Sequence, residues 1–128
     1  MSYVFSERSL NNLRGVHKDL VTVCYKALEI TKQDFTIIEG LRTQARQQEL
    51  VRRGFSKTMR SRHLTGHAVD IVPFPISHHF DWPNHKWDAV AEAMLGAARD
   101  LGVDLEWGYA KWGWDKPHYQ LSWDKYPR

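Results

Sequence analysis

An aspartate interrupts the most apolar short run of this chain, Ala68-Val69-Asp70-Ile71-Val72. The run is rich in β-branched residues and is followed by Pro73 and Pro75, so residues 68–74 read as a strand. Side chains alternate along a strand, so Val69 and Ile71 share one face and Asp70 takes the other. A carboxylate inside an apolar strand is costly unless it is paired or bound to a cation. Any sheet built on this strand needs one face turned to a core and a second face where positive charge meets Asp70.

The 128 residues suit one domain, spanning 1–128. Hydrophobic residues are 42% of the chain, enough for one core, and charged residues are 26%, which excludes compositional disorder. Leu10, Leu13, Val16, Leu20, Cys24, Ala27 and Leu28 recur every three or four residues and predict one helix, with Ser9 as its cap. Residues 34–41 read as a strand. Thr43 caps a second helix running to Arg53, which Gly54 stops. Residues 55–64 and 76–83 read as loops. Trp87, Val90, Ala91, Met94, Leu95, Ala98 and Leu101 form another helical stripe, ended by Gly102. Residues 105–114 are aromatic and glycine-rich, and residues 118–123 read as a last strand. Helix and strand alternate in short segments, which predicts an α+β domain with a small, largely antiparallel sheet flanked by helices.

No apolar run is long enough to cross a bilayer, and the N-terminus lacks the basic and apolar regions of a secretory signal. The expectation is a chain made in the cytosol with no stable membrane insertion. The formal charge of +3 mildly favours anionic partners. The densest basic run, Arg52, Arg53, Lys57, Arg60 and Arg62, reads as a solvated loop; specific nucleic-acid binding is not expected. Cys24 is the only cysteine, so a disulfide and a cysteine-based zinc site are both excluded, and its apolar neighbours predict a buried, inert thiol.

The chemistry gathers in two stretches. In Ser61-Arg62-His63-Leu64-Thr65-Gly66-His67-Ala68-Val69-Asp70, Gly66 permits a turn that brings the His63 imidazole and the Asp70 carboxylate together. In Trp114-Asp115-Lys116-Pro117-His118-Tyr119, His118 opens the last strand and can reach the same point from a neighbouring strand. Two histidines and one carboxylate around an ion leave a fourth position open, the pattern of catalytic rather than structural zinc. Asp115, three residues before His118, is placed to act as a base without ligating the metal. His17, His78, His79 and His85 are expected to do nothing special, and His67 to point away from His63. The aromatic residues around Trp107, Tyr109, Trp112 and Trp114 read as core and cleft walls.

Ser61-x-His63-x-x-Gly66-x-Ala68-x-Asp70 followed by Asp115-x-x-His118 resembles the M15 zinc peptidases. That group includes D-Ala-D-Ala dipeptidases and carboxypeptidases and phage L-alanyl-D-glutamate endopeptidases. The resemblance runs from about Phe35 to Leu121 and implies a D-Ala-D-Ala peptidase/Hedgehog-like fold. It implies Zn2+ held by His63, Asp70 and His118, with Asp115 as the general base. Gly40-Leu41-Arg42 matches a Gly-aromatic-Arg element, with Leu41 as a departure, and implies that Arg42 binds the substrate and stabilises developing negative charge. Arg46, one helical turn later, competes for the substrate, and Ser61 is expected to orient the site or touch the substrate. The short chain is most similar to phage endolysins that act as monomers on the peptide stem of peptidoglycan. Such an enzyme would be made in the host cytoplasm and reach the periplasm after membrane permeabilisation. A D,D-carboxypeptidase or dipeptidase with the same zinc site is the alternative.

Overall fold

The computed structural model describes residues 3–77 and 81–127; His78 and His79 lie outside the described residues, as does part of the expected loop at 76–83. The N-terminal stripe is divided between two helices, α1 (Glu7–Asn12) and α2 (Lys18–Ile30). Gly15, at φ 80°, breaks the path between them. This corrects the single helix capped by Ser9. The cap of α1 is Ser6, whose hydroxyl accepts a hydrogen bond from the Ser9 backbone N–H. Ser9 itself is buried, and its Oγ accepts from the Ile37 N–H at 3.0 Å, joining α1 to the sheet. His17 also has a task, since its Nδ1 accepts from the Asp19 N–H at 3.0 Å and caps α2.

Four strands follow: β1 (Phe35–Glu39), β2 (Ala68–Pro73), β3 (Leu105–Trp107) and β4 (His118–Leu121). They form one antiparallel sheet in the order β1-β2-β4-β3. The remaining elements are α3 (Gln44–Arg52), capped by Thr43, a 3₁₀ turn (Arg62–Thr65), α4 (Asn84–Leu101) and α5 (Gly108–Trp112). The α+β class with an antiparallel sheet agrees with the alternation in the sequence. Three elements lie where none was expected. The 3₁₀ turn begins at Arg62, the last residue of the basic run, and there Arg62 is buried rather than solvated. Its Nη2 donates to the carbonyls of Leu121, Ser122 and Tyr126. Strand β3 is three residues long, too short to show a period, and α5 begins immediately after it.

One face of the sheet is the core. Helices α2 and α4 pack on each other and on this face, burying Leu20, Val23, Cys24 and Ala27 with Val90, Met94 and Ala97 against Ile37, Val69, Ile71, Tyr119 and Leu121. Each large apolar side chain taken fully out of water contributes roughly 1.5–3 kcal/mol, so this layer dominates stability. The Cys24 thiol is fully buried and its pKa is pushed up to about 12 by desolvation, which keeps it in the unreactive thiol form. Val69 and Ile71 are buried in this layer, which leaves Asp70 on the opposite face.

Candidate metal centre

The β-ladders fix the centre. Asp70 of β2 lies opposite His118 of β4, and on its other side opposite Glu39 of β1, where the β1 register shifts after Ile37. His63 comes from the 3₁₀ turn. Ser61 caps that turn by accepting from the His63 N–H, and Gly66 closes it at φ 74°, a left-handed conformation that suits glycine. A side chain at Gly66 would collide with the Gly15 carbonyl, and the Gly66 carbonyl accepts from the His17 N–H at 2.8 Å. The turn carrying His63 is therefore seated directly on the α1–α2 junction.

His63, Asp70 and His118 form a group able to hold a metal ion, their ligand atoms all lying within 4.8 Å of one another. Hydrogen bonds at the far side of each ring settle which nitrogens face inward. His63 Nδ1 lies 2.8 Å from the Gly40 carbonyl oxygen, which can only accept, so Nδ1 carries the proton. His63 Nε2 then points a lone pair at Asp70 Oδ1, 3.2 Å away. On the other side, Gln120 Nε2 donates to Glu106 Oε1 at 3.0 Å. The Gln120 oxygen is thus turned to His118 Nε2 at 2.8 Å, so that nitrogen donates. His118 Nδ1 remains, 3.3 Å from the same Asp70 oxygen. Two imidazole lone pairs and a carboxylate oxygen converge on one point. Such an arrangement repels itself unless protons or a cation occupy it, so the donor set fits a metal of the kind that imidazole and carboxylate bind.

The electrostatics agree. Burial alone would push the Asp70 carboxyl up, but the charges and hydrogen bonds of His63 and His118 outweigh it and hold the group well below the usual range. Burial pushes His118 down, and its bonds to Asp70 and Gln120 more than reverse this, leaving its pKa raised. Asp115 is raised chiefly by burial, with a further contribution from the Asp70 charge. A carboxylate with a raised pKa is a better proton acceptor than an ordinary one.

Asp115 sits at φ 68°, in the left-handed region that aspartate tolerates better than most residues. Its backbone passes so close to Gly108 that a Cβ there would meet the Asp115 carbonyl. The absent side chain of Gly108 thus lets the 113–117 segment fold back over the sheet. Asp115 lines a cleft of about 1060 Å³ together with His63, Asp70, His118, Arg42, Arg46 and Ser61. All seven residues singled out in the sequence are brought to this cleft.

Two of them carry ties that the sequence did not reveal. Arg42 is held in a two-pronged pair with the Glu39 carboxylate, its Nη2 lying 2.7 Å from Oε2 and its Nε 3.1 Å from Oε1. Its Nη1 donates to Gln47 Oε1 at 2.7 Å, and Nη2 stands 3.9 Å from Asp70 Oδ2. Arg46 is exposed and has no side-chain partner among the described residues. Ser61 acts as the cap of the His63 turn while also lining the cleft. His67 turns away as expected, bonding Thr65 Oγ1 and lying beside the His17 ring. The supporting residues Glu39, Gln47, Glu106 and Gln120 were missed in the sequence. For Gln120 the signal was its i+2 spacing from His118, which places both on one face of a strand.

The family model described as phage L-alanyl-D-glutamate peptidase matches residues 1–123. The chain belongs to the phage L-alanyl-D-glutamate peptidase family. The L-alanyl-D-glutamate peptidase of Escherichia phage T5 is 36% identical over 117 residues, covering 88% of this chain and 83% of the relative. The L-alanyl-D-glutamate peptidase of Listeria phage A118 is 33% identical over 98% of this chain, which spans 44% of that longer relative. Among solved structures, the Serratia marcescens L-Ala D-Glu endopeptidase ChiX superposes with a TM-score of 0.88 at 48% identity, covering 97% of this chain and 93% of ChiX. The vancomycin-resistance D,D-dipeptidase VanXYg, solved with a D-Ala-D-Ala phosphinate analogue, shares 17% identity with a TM-score of 0.54; it covers 83% of this chain and 50% of its own. That second likeness is one of fold. The family members are peptidases, and so is this chain.

Proposed function

We propose that the chain is a zinc-dependent peptidoglycan endopeptidase that cuts between L-alanine and D-glutamate of the peptide stem, working as a phage endolysin in host lysis. The observation that carries the metal is the convergence of the His63, His118 and Asp70 lone pairs, with the far nitrogen of each ring committed to Gly40 or Gln120. Family membership supports the scissile bond. When bound at these three residues, zinc supplies Lewis acidity that polarises the scissile carbonyl and acidifies water.

The remaining steps belong to the chain. Asp115 takes a proton from the attacking water and hands it to the departing amine of D-glutamate, the task its raised pKa suits. Arg42, fixed by Glu39 and Gln47, presents positive charge in the cleft where negative charge develops. Arg46, exposed and without a side-chain partner among the described residues, binds a substrate carboxylate. D-glutamate has two carboxyl groups and the stem continues through one, so the other remains an anion. Ser61 acts indirectly, by setting the His63 turn. No helix among the described residues is long and apolar enough to cross a membrane. The enzyme is made in the host cytoplasm, works as a monomer, and meets its substrate in the periplasm after permeabilisation of the membrane.

Mass spectrometry of purified peptidoglycan digested with and without chelator tests this reading. New N-terminal D-glutamate, absent under chelation, is the expected product. Free D-alanine in its place would replace the endopeptidase with a D,D-peptidase.

A further inference from the structure

The cleft is lined by two unlike groups of side chains, one carried by the chain that follows edge strand β1 and the other by the chain that follows edge strand β3. Strands β1 and β3 are the two edges of the sheet, and the ligands Asp70 and His118 lie on β2 and β4 between them. After β1 in the chain come α3 with Arg46 and the segment with Lys57, which Gln47 ties to α3 through Ser56 and Thr58. Neither Arg46 nor Lys57 has a side-chain partner among the described residues, so this wall carries uncompensated positive charge. After β3 comes α5, which packs on both β3 and β4; there Lys111 is neutralised by Glu106 at 3.0 Å and the wall is aromatic. The Trp112 ring centroid lies 5.4 Å from that of His118, and Trp114 continues outward from Trp112 at 6.0 Å and 33°. Trp112 is 41% exposed and Trp114 62%, although a tryptophan left in water forgoes a large burial gain. Paired indoles that begin on a metal ligand and end in solvent form a ledge for a flat, largely uncharged ligand.

We propose that Trp112 and Trp114 form a saccharide subsite, which stacks on the glycan sugar carrying the stem and so fixes the direction in which the stem crosses the metal. This rests on the peptidoglycan endopeptidase reading above. The chemistry of the substrate divides in the same way as the cleft. On the alanine side of the scissile bond, the stem is attached to a pyranose ring, whose C–H faces pack well on indole. On the glutamate side, it carries a free carboxylate. The two walls therefore bind opposite ends of one substrate, aromatic toward the sugar and cationic toward the acid.

The test compares two soluble substrates in the zinc-loaded full chain, a muramoyl stem peptide and the same peptide without sugar. In the parent protein, the sugar should raise kcat/KM about tenfold, the scale of one well-packed aromatic contact. Trp114→Ala should bring that ratio close to one, and Trp114→Phe should restore part of it. Arg46→Ala should lower cleavage of both substrates and leave the ratio standing. Because Trp114 is mostly exposed, the alanine variant removes little from the folded core. A ratio near one in the parent, or a ratio that survives Trp114→Ala, overturns the subsite. If neither peptide is cut, the endopeptidase reading fails instead. The subsite is then decided by titrating the metal-free protein with N-acetylmuramoyl-L-alanine while following indole N–H signals by NMR. Shifts confined to Trp112 and Trp114 support it, and their absence overturns it.

Discussion

Gln120 holds His118 from behind: its side-chain oxygen accepts the proton of His118 Nε2 at 2.8 Å while its amide nitrogen donates to Glu106. The acceptor-only carboxylate of Glu106 sets the amide, the amide sets the tautomer, and the tautomer leaves Nδ1 bare toward Asp70. Partners of this kind are typically worth 10–100-fold in metal affinity. Gln120→Leu should therefore weaken zinc binding by about 10–100-fold, read by competition with a chelating dye. An unchanged affinity would show that the ring needs no such support.

Asp115 should separate metal binding from turnover. Asp115→Asn keeps the shape but cannot accept a proton, so kcat should fall by about 10²–10⁴ while zinc stoichiometry stays at the parent value. Stem-peptide cleavage and metal content measured on the same preparation check this together. Near-normal turnover would remove Asp115 from the role of base.

The pH response follows from the directions of the shifts. Asp70 is depressed below its ordinary 3.8, so its contribution to stability is present above that value and is lost as pH falls through the folded pKa. His118 is raised above its ordinary 6.5, so its contribution is present below 6.5 and is lost as pH rises through the folded pKa. Asp115 is raised above 3.8, so its ionisation works against the fold at higher pH. Above 3.8 the Asp70 contribution is complete while those of Asp115 and then His118 decline, so the metal-free protein should melt at lower temperature as pH climbs past 6.5. Zinc must displace the proton on His118, so the rise in Tm on loading should be larger at pH 8 than at pH 5. Equal rises at both pH values in a thermal scan would contradict this.

Glu39 is the anchor of Arg42, and both side chains are mostly buried, at 10% and 24% exposure for Arg42 and Glu39. Glu39→Gln weakens a two-pronged charged pair and should cost about 1–3 kcal/mol in urea unfolding. Because Arg42 then keeps only its bond to Gln47 as a firm tie, kcat/KM should drop by more than stability accounts for under folding conditions. A variant as active as the parent would make Arg42 a purely structural cation.

The sequence disclosed the three residues that come together as a group able to hold a metal, because each depends on local pattern: a charged residue against strand alternation at Asp70, a glycine turn after His63, and a strand start at His118. It also disclosed the helices with long apolar stripes. The split between α1 and α2 was hidden, because Gly15 does not interrupt the apolar spacing and only contact with the His63 turn explains the bend. Strand β3 was hidden because three residues carry no period and its pairing partner lies in β4, with Trp107 stacked on Tyr119 at 6.2 Å. The clamp on Arg42 was beyond local reading as well. Glu39 is near in sequence, but their pairing depends on the register shift in β1 and on Gln47 turning inward from α3.

Strand β4 is the last of the four along the chain, yet it lies inside the sheet, between β2 and β3. During synthesis, the earlier strands have a gap where it belongs, and His118 arrives only when that gap is filled. Closing contacts across such a separation is the slow part of assembling a sheet. The group able to hold a metal and the complete sheet are thus assembled in a single event, since His118 reaches Asp70 only through the pairing of β4 with β2.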